Sequence, residues 1–396
     1  MRPQLRALLI AAGTACLASS VLVLRQSPAA QAASPRVEIV RAPEGGFQCQ
    51  TAVDARGVTH LIYLKGTPKA CDAFYTRREG SNWALPLRVN SRPNSAVAMG
   101  TIRGPQLALG KGGRVHVVWF GSSEAGIKGP AGSAPLLYAR LNDAGTAFEP
   151  ERNLMQASSS LDGGPGVAAD ASGNVYVAWQ AASESGKGEG PGKRQLWVAR
   201  STDDGKSFNR DAPAWEEPLG ACPCCSTEAF VDAKGVLYVQ YRMAANDTER
   251  DMILLVSTDR GRTFQGKRID PWPINACPMS SEAFSEGGGA LVAAWETQGQ
   301  VKYARVEPGS PRLSAPVGAP GPAEGRKHPV VALNGKAELL FAWTEGTGWN
   351  RGGALAWQVY DSSGRPGEQG RLPGAIPVWG LAAVAARPDG SFLIVR

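Results

Sequence analysis

The stretches "TAVDARGVTHLIY" at 51–63 and "LALGKGGRVHVVW" at 107–119 share one plan. A short apolar strand runs into a Gly or Asp turn, and a second alternating strand ends on an aromatic residue. The plan recurs at 167–179, 229–241, 283–295 and 331–343, and at 382–396 with Arg396 in place of the aromatic. The closing residues are Tyr63, Trp119, Trp179, Tyr241, Trp295, Trp343 and Arg396, at steps of 48 to 62 residues. Each step has room for four short strands and their turns. Four-stranded units repeated radially predict an all-β fold, a β-propeller. Six units hold all their strands. The seventh strand pair ends the chain, and "PRVEIVRAP" (35–43) is an unpaired strand at the other end. Joining the two closes the ring and leaves no bare sheet edge, so seven blades are favoured and six are the alternative. The 48 glycines and 29 prolines belong to the turns of such a fold, and 43% hydrophobic content excludes disorder.

A second phrase lies between the copies. "LWVARSTDDGKSF" (196–208) and "ILLVSTDRGRTF" (253–264) give a strand followed by Ser-x-Asp-x-Gly-x-x-Phe. "LYARLNDAGTAF" (137–148) keeps Asp143, Gly145 and Phe148 without the Ser, and "FYTRREGSNW" (74–83) keeps only Gly80 and Trp83. A carboxylate there accepts from turn amides, and Gly supplies positive φ. This phrase resembles the Asp-box of the sialidase, or BNR-repeat, superfamily. The resemblance spans the chain after its leader and implies structural roles for Asp143, Asp203 and Asp259. It also implies an arginine triad, a Tyr nucleophile with a Glu partner and an Asp acid/base in any enzyme of the family, whose propellers have six blades. Here the place of the family's Arg-Ile-Pro motif reads "FQCQTAV" (47–53), without arginine. Arg103 in "TIRGP" is a loose echo, and Arg242, Arg326, Tyr241, Asp72 and Asp162 show no ordered match. The pattern neither requires nor excludes a glycoside hydrolase of exo-sialidase type.

Arg2 and Arg6, the apolar run Leu8–Leu24 and Ala30-Gln31-Ala32 have the order of a secretory leader. Residues 1–33 are therefore expected to be a signal peptide, with an uncleaved anchor or a lipid site at Cys16 as alternatives. A single propeller domain over 34–396 follows, exported to the periplasm or beyond and monomeric. The net charge of +7 includes Arg2, Arg6 and Arg25, and no basic run marks a nucleic-acid surface.

Six cysteines lie outside the leader: Cys49, Cys71, Cys222, Cys224, Cys225 and Cys277. They fall in connections on the face opposite the Asp-boxes, where propellers bind ligands. "GACPCCSTEAF" (220–230) leads into blade 4 and "NACPMSSEAF" (275–284) into blade 5. Three readings stay open. An even count in an oxidising compartment suits disulfides, Cys49 with Cys71 and two more among the others. Cys222, Cys224, Cys225, Cys277, Met279 and His328 could instead hold copper or zinc. The third reading is thiol redox exchange at the vicinal pair Cys224–Cys225. No cofactor is required by the first. Glu228 and Glu282 occupy equivalent positions of adjacent blades, the paired carboxyls that glycoside chemistry uses, or a scaffold between blades. The resulting functions are binding or hydrolysis of a glycan or cell-envelope ligand, soft-metal or redox work, and a protein-interaction scaffold. The chain also resembles a group of exported bacterial propellers with Cys-Pro-Cys-Cys before one blade and Cys-Pro-Met or a variant before the next. His60 and His116 share the position of Tyr176 and Tyr238 and read as packing residues.

Overall fold

The computed structural model describes Met1 and residues 36–183, 193–215, 219–246, 248–323 and 325–396, and Arg36–Arg396 form one compact unit. The expected leader, with Arg2, Arg6, Cys16 and Arg25, lies outside the described residues. Among the described residues no helix is long and apolar enough to cross a membrane.

Seven separate sheets follow one another along the chain, six of them antiparallel throughout. Their innermost strands are Phe47–Val53, Gln106–Leu109, Gly166–Ala169, Thr227–Val231, Ala283–Gly287, Arg326–Leu333 and Ala383–Ala386, in blades 1 to 7. Blades 4 to 6 are uninterrupted meanders, such as Thr227–Val231, Leu237–Arg242, Met252–Ser257 and Gln265–Asp270. The protein is a seven-bladed β-propeller. Blade 7 departs from the others. It has three strands, and its third is Val37–Val40, parallel to Phe392–Val395 in the register Val37 to Phe392 through Val40 to Val395. Phe392 N–H donates to Arg36 O at 2.7 Å and Arg396 N–H to Val40 O at 3.0 Å. Glu38 on this strand reaches Arg78 of blade 1 at 2.7 Å and also Arg387 of blade 7.

The core lies between neighbouring sheets. The closing aromatics Tyr63, Trp119, Trp179, Tyr241, Trp295 and Trp343 are all buried there. Large rings at one register give each blade a flat surface for the next, and each contributes on the order of 2–3 kcal/mol of burial. His60 and His116 are buried too, bonding through Nδ1 to the hydroxyls of Tyr75 (2.7 Å) and Tyr138 (2.8 Å). Burial lowers the pKa of both imidazoles, so they serve as neutral packing groups.

Two kinds of Asx turn line one rim. Asp203 Oδ1 accepts from Ser201 Oγ (2.7 Å) and Ser207 N–H (2.9 Å), while Oδ2 accepts from Ser207 Oγ (2.6 Å). Asp259 repeats this with Ser257 and Thr263. These bonds outweigh partial burial and hold both carboxyls down at about 2. The blade 2 copy differs. Asp143 points outward to an ion pair with Arg114 (2.6 Å), and Asn142 Oδ1 accepts from Thr146 N–H (3.0 Å) instead. The Asp-box role expected of Asp143 thus moves one residue back, because the Ser that positions the carboxylate is Leu141 here. Asp54, Asp170, Asp232 and Asn334 brace the first hairpins of blades 1, 3, 4 and 6 in the same way.

Candidate ligand and thiol site

The seven innermost strands surround a channel of about 760 Å³, running from the hairpin turns at Asp54, Gly335 and Pro388 inward to Glu228. Beyond Glu228 it narrows to a chamber of about 100 Å³. Cys49, Gln106, Ser226, Glu228, Glu282 and His328 line that chamber. Gln50, Thr51, Glu228 and Phe284 line both, so the two spaces are continuous.

Glu228 comes from the innermost strand of blade 4, and Glu282 immediately precedes that of blade 5. The sequence register therefore brings both carboxyls to one chamber. Ser226 Oγ donates to Glu282 Oε2 at 3.0 Å across the blade boundary, while buried Glu282 Oε1 has no partner. Loss of water pushes Glu228 up to about 8. Burial also raises Glu282 well above the usual carboxylate range, helped by charge at Cys225 and Glu228 and opposed by Arg242. Both therefore hold their protons near neutrality. A third carboxylate escaped the sequence reading: buried Glu296 pairs with Lys327 at 2.9 Å.

At the mouth, three non-glycine residues lie in the left-handed region: Gln48 (φ 51°) and His328 (φ 52°), at register shifts in the innermost strands of blades 1 and 6, and Met279 (φ 47°) in the connection into blade 5. Such backbone costs about 1 kcal/mol or more per residue and gathers at functional sites. The three residues meet with Trp379 (φ 62°) around a cleft of about 40 Å³. His328 is buried, shares a 3.2 Å hydrogen bond between Nδ1 and Ser281 Oγ, and is pushed down to about 3 by burial.

The cysteines divide into two sets. Cys222, Cys224 and Cys225 are buried, with sulfurs all within 4.8 Å of one another. Cys222 Sγ stands 3.6 Å from Cys224 Sγ and 3.7 Å from Cys225 Sγ. Cys277 arrives from blade 5, and its hydrogen bond with Cys224 is the main cause lowering it to about 7. Met279 packs against the cluster, while His328 stands outside the three-sulfur group. Ser280 donates to Cys225 Sγ from both N–H and Oγ at 3.4 Å, and Arg242 Nε donates to Ser280 Oγ at 2.8 Å. Burial would raise Cys225, but the bonds from Cys222, Cys224 and Ser280 and the Arg242 charge outweigh it and lower this thiol.

Cys49 and Cys71 are different. Both are free and buried, on strands Phe47–Val53 and Ala70–Glu79, which flank Thr59–Thr67. Two strand spacings, about 9.6 Å, exceed what a disulfide spans, so the expected bridge is not formed. Cys71 belongs to the core between blades 1 and 2, its Sγ 3.4 Å from Ala96 O, rather than to the ligand face. Burial pushes both thiols up to about 12. Cys222, Cys224, Cys225 and Cys277 stand as free thiols in this structure.

The arginines are committed elsewhere. Arg103 bonds Asp162 Oδ1 (2.5 Å), Asp162 O (2.8 Å) and Met99 O (2.8 Å), and stacks on Phe120. Arg242 is buried on Ser280 Oγ and the carbonyls of Arg250 and Glu296. Arg326 binds Ala319 O at 2.9 Å and lies 3.5 Å from Glu345. Tyr241, considered as a nucleophile from the sequence, packs in the core between blades 3 and 4.

No protein-family model matches the chain, and no curated protein matches it in sequence. Solved structures do match. A Hadza microbial sialidase, Hz136, is similar at 16% identity and a TM-score of 0.53, over 83% of this chain and 74% of that one. Its fold is that of the sialidase-like propellers. A protein of unknown function from Dyadobacter fermentans matches at 13% identity and 0.52, over 85% and 97% of the two chains. An α-L-arabinanase of Penicillium chrysogenum, solved with arabinobiose, matches at 13% and 0.51, over 80% and 94%. At these identities the likeness is one of fold, and the propeller's own site must carry its chemistry.

Proposed function

We propose that this is an exported, ligand-binding propeller that takes a glycan or cell-envelope saccharide at the cysteine-bearing mouth of its channel. The observation that carries the reading is the convergence of Glu228 and Glu282 from adjacent blades on one chamber, with Glu282 Oε1 unpartnered. A protonated carboxyl both donates and accepts, which suits neighbouring hydroxyl groups of a sugar. Binding is favoured over hydrolysis. Glycoside cleavage needs environments that push two carboxyls apart, one protonated and one ionised. Here loss of water pushes both in the same direction. Arg103, Arg242 and Arg326 are likewise engaged within the protein and do not form a triad for a sialic acid carboxylate. A fold shared with a sialidase and an arabinanase supports the saccharide class.

The test is calorimetric titration with sialyllactose, arabino-oligosaccharides and peptidoglycan fragments, on wild type and on E228A and E282A. A bound saccharide should lose at least about tenfold in affinity, roughly 1.4 kcal/mol, in each variant without loss of fold. Absence of binding at millimolar concentration across the panel would refute the reading. Turnover of a fluorogenic sialoside would overturn its non-hydrolytic part.

A further inference from the structure

Three cysteines of the connection into blade 4 meet, with Cys277 on the next connection, where the other blades present unrelated residues: Gln48 in blade 1 and His328 in blade 6 stand at comparable places. We infer that Cys222, Cys224, Cys225 and Cys277 form a binding site for a thiophilic d¹⁰ cation, Zn(II) or Cu(I). This site is separate from the saccharide reading of the channel and stands without it.

The sulfur spacing is the first support. Tetrahedral sulfur around zinc at about 2.3 Å places sulfurs about 3.8 Å apart. Cys222 Sγ already stands 3.6 Å from Cys224 and 3.7 Å from Cys225, so little movement is needed to admit an ion. Cys277 is exposed on the connection into blade 5 and lies outside the three-sulfur group, and it would move in from the solvent side, where an ion enters, to supply the fourth sulfur.

The mount is the second. Pro223 fixes its own φ between two ligands. Gln180 Nε2 of blade 3 holds both Pro223 O (2.6 Å) and Cys225 O (2.9 Å). Ile102 N–H, from the connection leading into blade 2, holds Cys224 O at 3.3 Å, and Cys222 N–H is held by Arg242 O at 2.8 Å. Gly163 is required by this approach, since a Cβ there would lie 1.9 Å from Cys225 O. Blades 3 and 4 and the connection into blade 2 therefore hold the Cys-Pro-Cys-Cys turn in place. Ser280 is an outer-shell partner, donating two hydrogen bonds to one sulfur.

Charge is the third. Arg242 is buried, with its guanidinium on a hydroxyl and two carbonyls, and makes no ion pair with a carboxylate among the described residues. A buried cation calls for a nearby anion. Zn(II) with four thiolates carries two negative charges and Cu(I) with two carries one, and Arg242, acting through Ser280, offsets one of them. Each coordinating thiol releases its proton to solvent, and no oxidation state changes.

The experiment uses the full processed protein, reduced and then loaded anaerobically with one equivalent of Zn(II) or Cu(I). One ion per chain should survive desalting, and X-ray absorption should show a sulfur-only first shell near about 2.3 Å. C224S and C277S should lower metal affinity. S280A, which leaves every ligand in place, should weaken binding by about 10- to 100-fold and keeps the test usable if C224S does not fold. Competition between the two ions decides which is preferred. Four freely titrating thiols with no retained metal, a first shell of oxygen or nitrogen, or disulfides among these cysteines in freshly isolated protein would each overturn the assignment. A failed saccharide panel would leave it untouched.

Discussion

Glu228 and Glu282 keep their protons because the channel wall withholds water, and this makes stability depend on pH in a stated direction. Each folded-state pKa lies above its unfolded value near 4.5, and Glu228 stands at about 8. Their contribution is full below pH 4.5 and is lost as pH rises through the folded values. E228Q should therefore flatten the urea midpoint between pH 5 and 8, and E228Q and E282Q should each raise it at pH 8.5. An unchanged profile would mean that water reaches these carboxyls. The Asp-boxes separate two residues that look alike in sequence. Asp203→Ala should cost about 1–2 kcal/mol by removing several turn hydrogen bonds, whereas Asp143→Ala should cost under about 0.5. Denaturant unfolding of the pair checks this. The box at Asp203 was legible because its acceptor and donors are neighbours in the chain. The shift to Asn142 was legible only in retrospect, from the missing Ser. The Arg242–Ser280–Cys225 relay was not legible at all, since 38 residues separate Arg242 from Ser280 and no local pattern pairs them.

At the level of strands and connections, the strand that closes blade 7 was readable as an unpaired apolar run, and its partner followed from the bare edge at the other end. Its parallel direction was not readable, because either direction satisfies the edge. Removing residues 36–41 should cost on the order of 3 kcal/mol or more from lost burial of Val37 and its neighbours, seen as a lower melting temperature. The Cys49–Cys71 pairing failed at this scale. Counting cysteines ignores that Thr59–Thr67 runs between them. Gly163 gives the most specific expectation here. Gly163→Ala should displace the Cys-Pro-Cys-Cys turn and lower thiol-site affinity while leaving the blades folded, by circular dichroism. Unchanged affinity would show that the turn tolerates the shift.

For the whole molecule, the repeat announced the ring and the structure supplied its contents. Seven copies of one phrase set the number of blades, since each phrase is a hairpin that must bury its aromatic against the next. The channel's polarity was partly readable, through the matching Glu residues of "STEAF" and "SSEAF". The fate of the arginines was only partly so, because Arg103 and Arg242 are claimed in part by carbonyls 59 and 54 residues away, whereas Arg326 is held by carbonyls of its own connection. The parallel clasp also sets an order of events. Residues 37–40 leave the ribosome early, yet their partners at 392–395 are made more than 350 residues later. Contacts of that sequence separation form slowly. Blades 1 to 6 can assemble in sequence as an open arc, while the first strand waits exposed until the last is made. A chain halted or cut before residue 392 would thus hold six finished blades and no ring, and its early strand would be free to pair with another chain's edge.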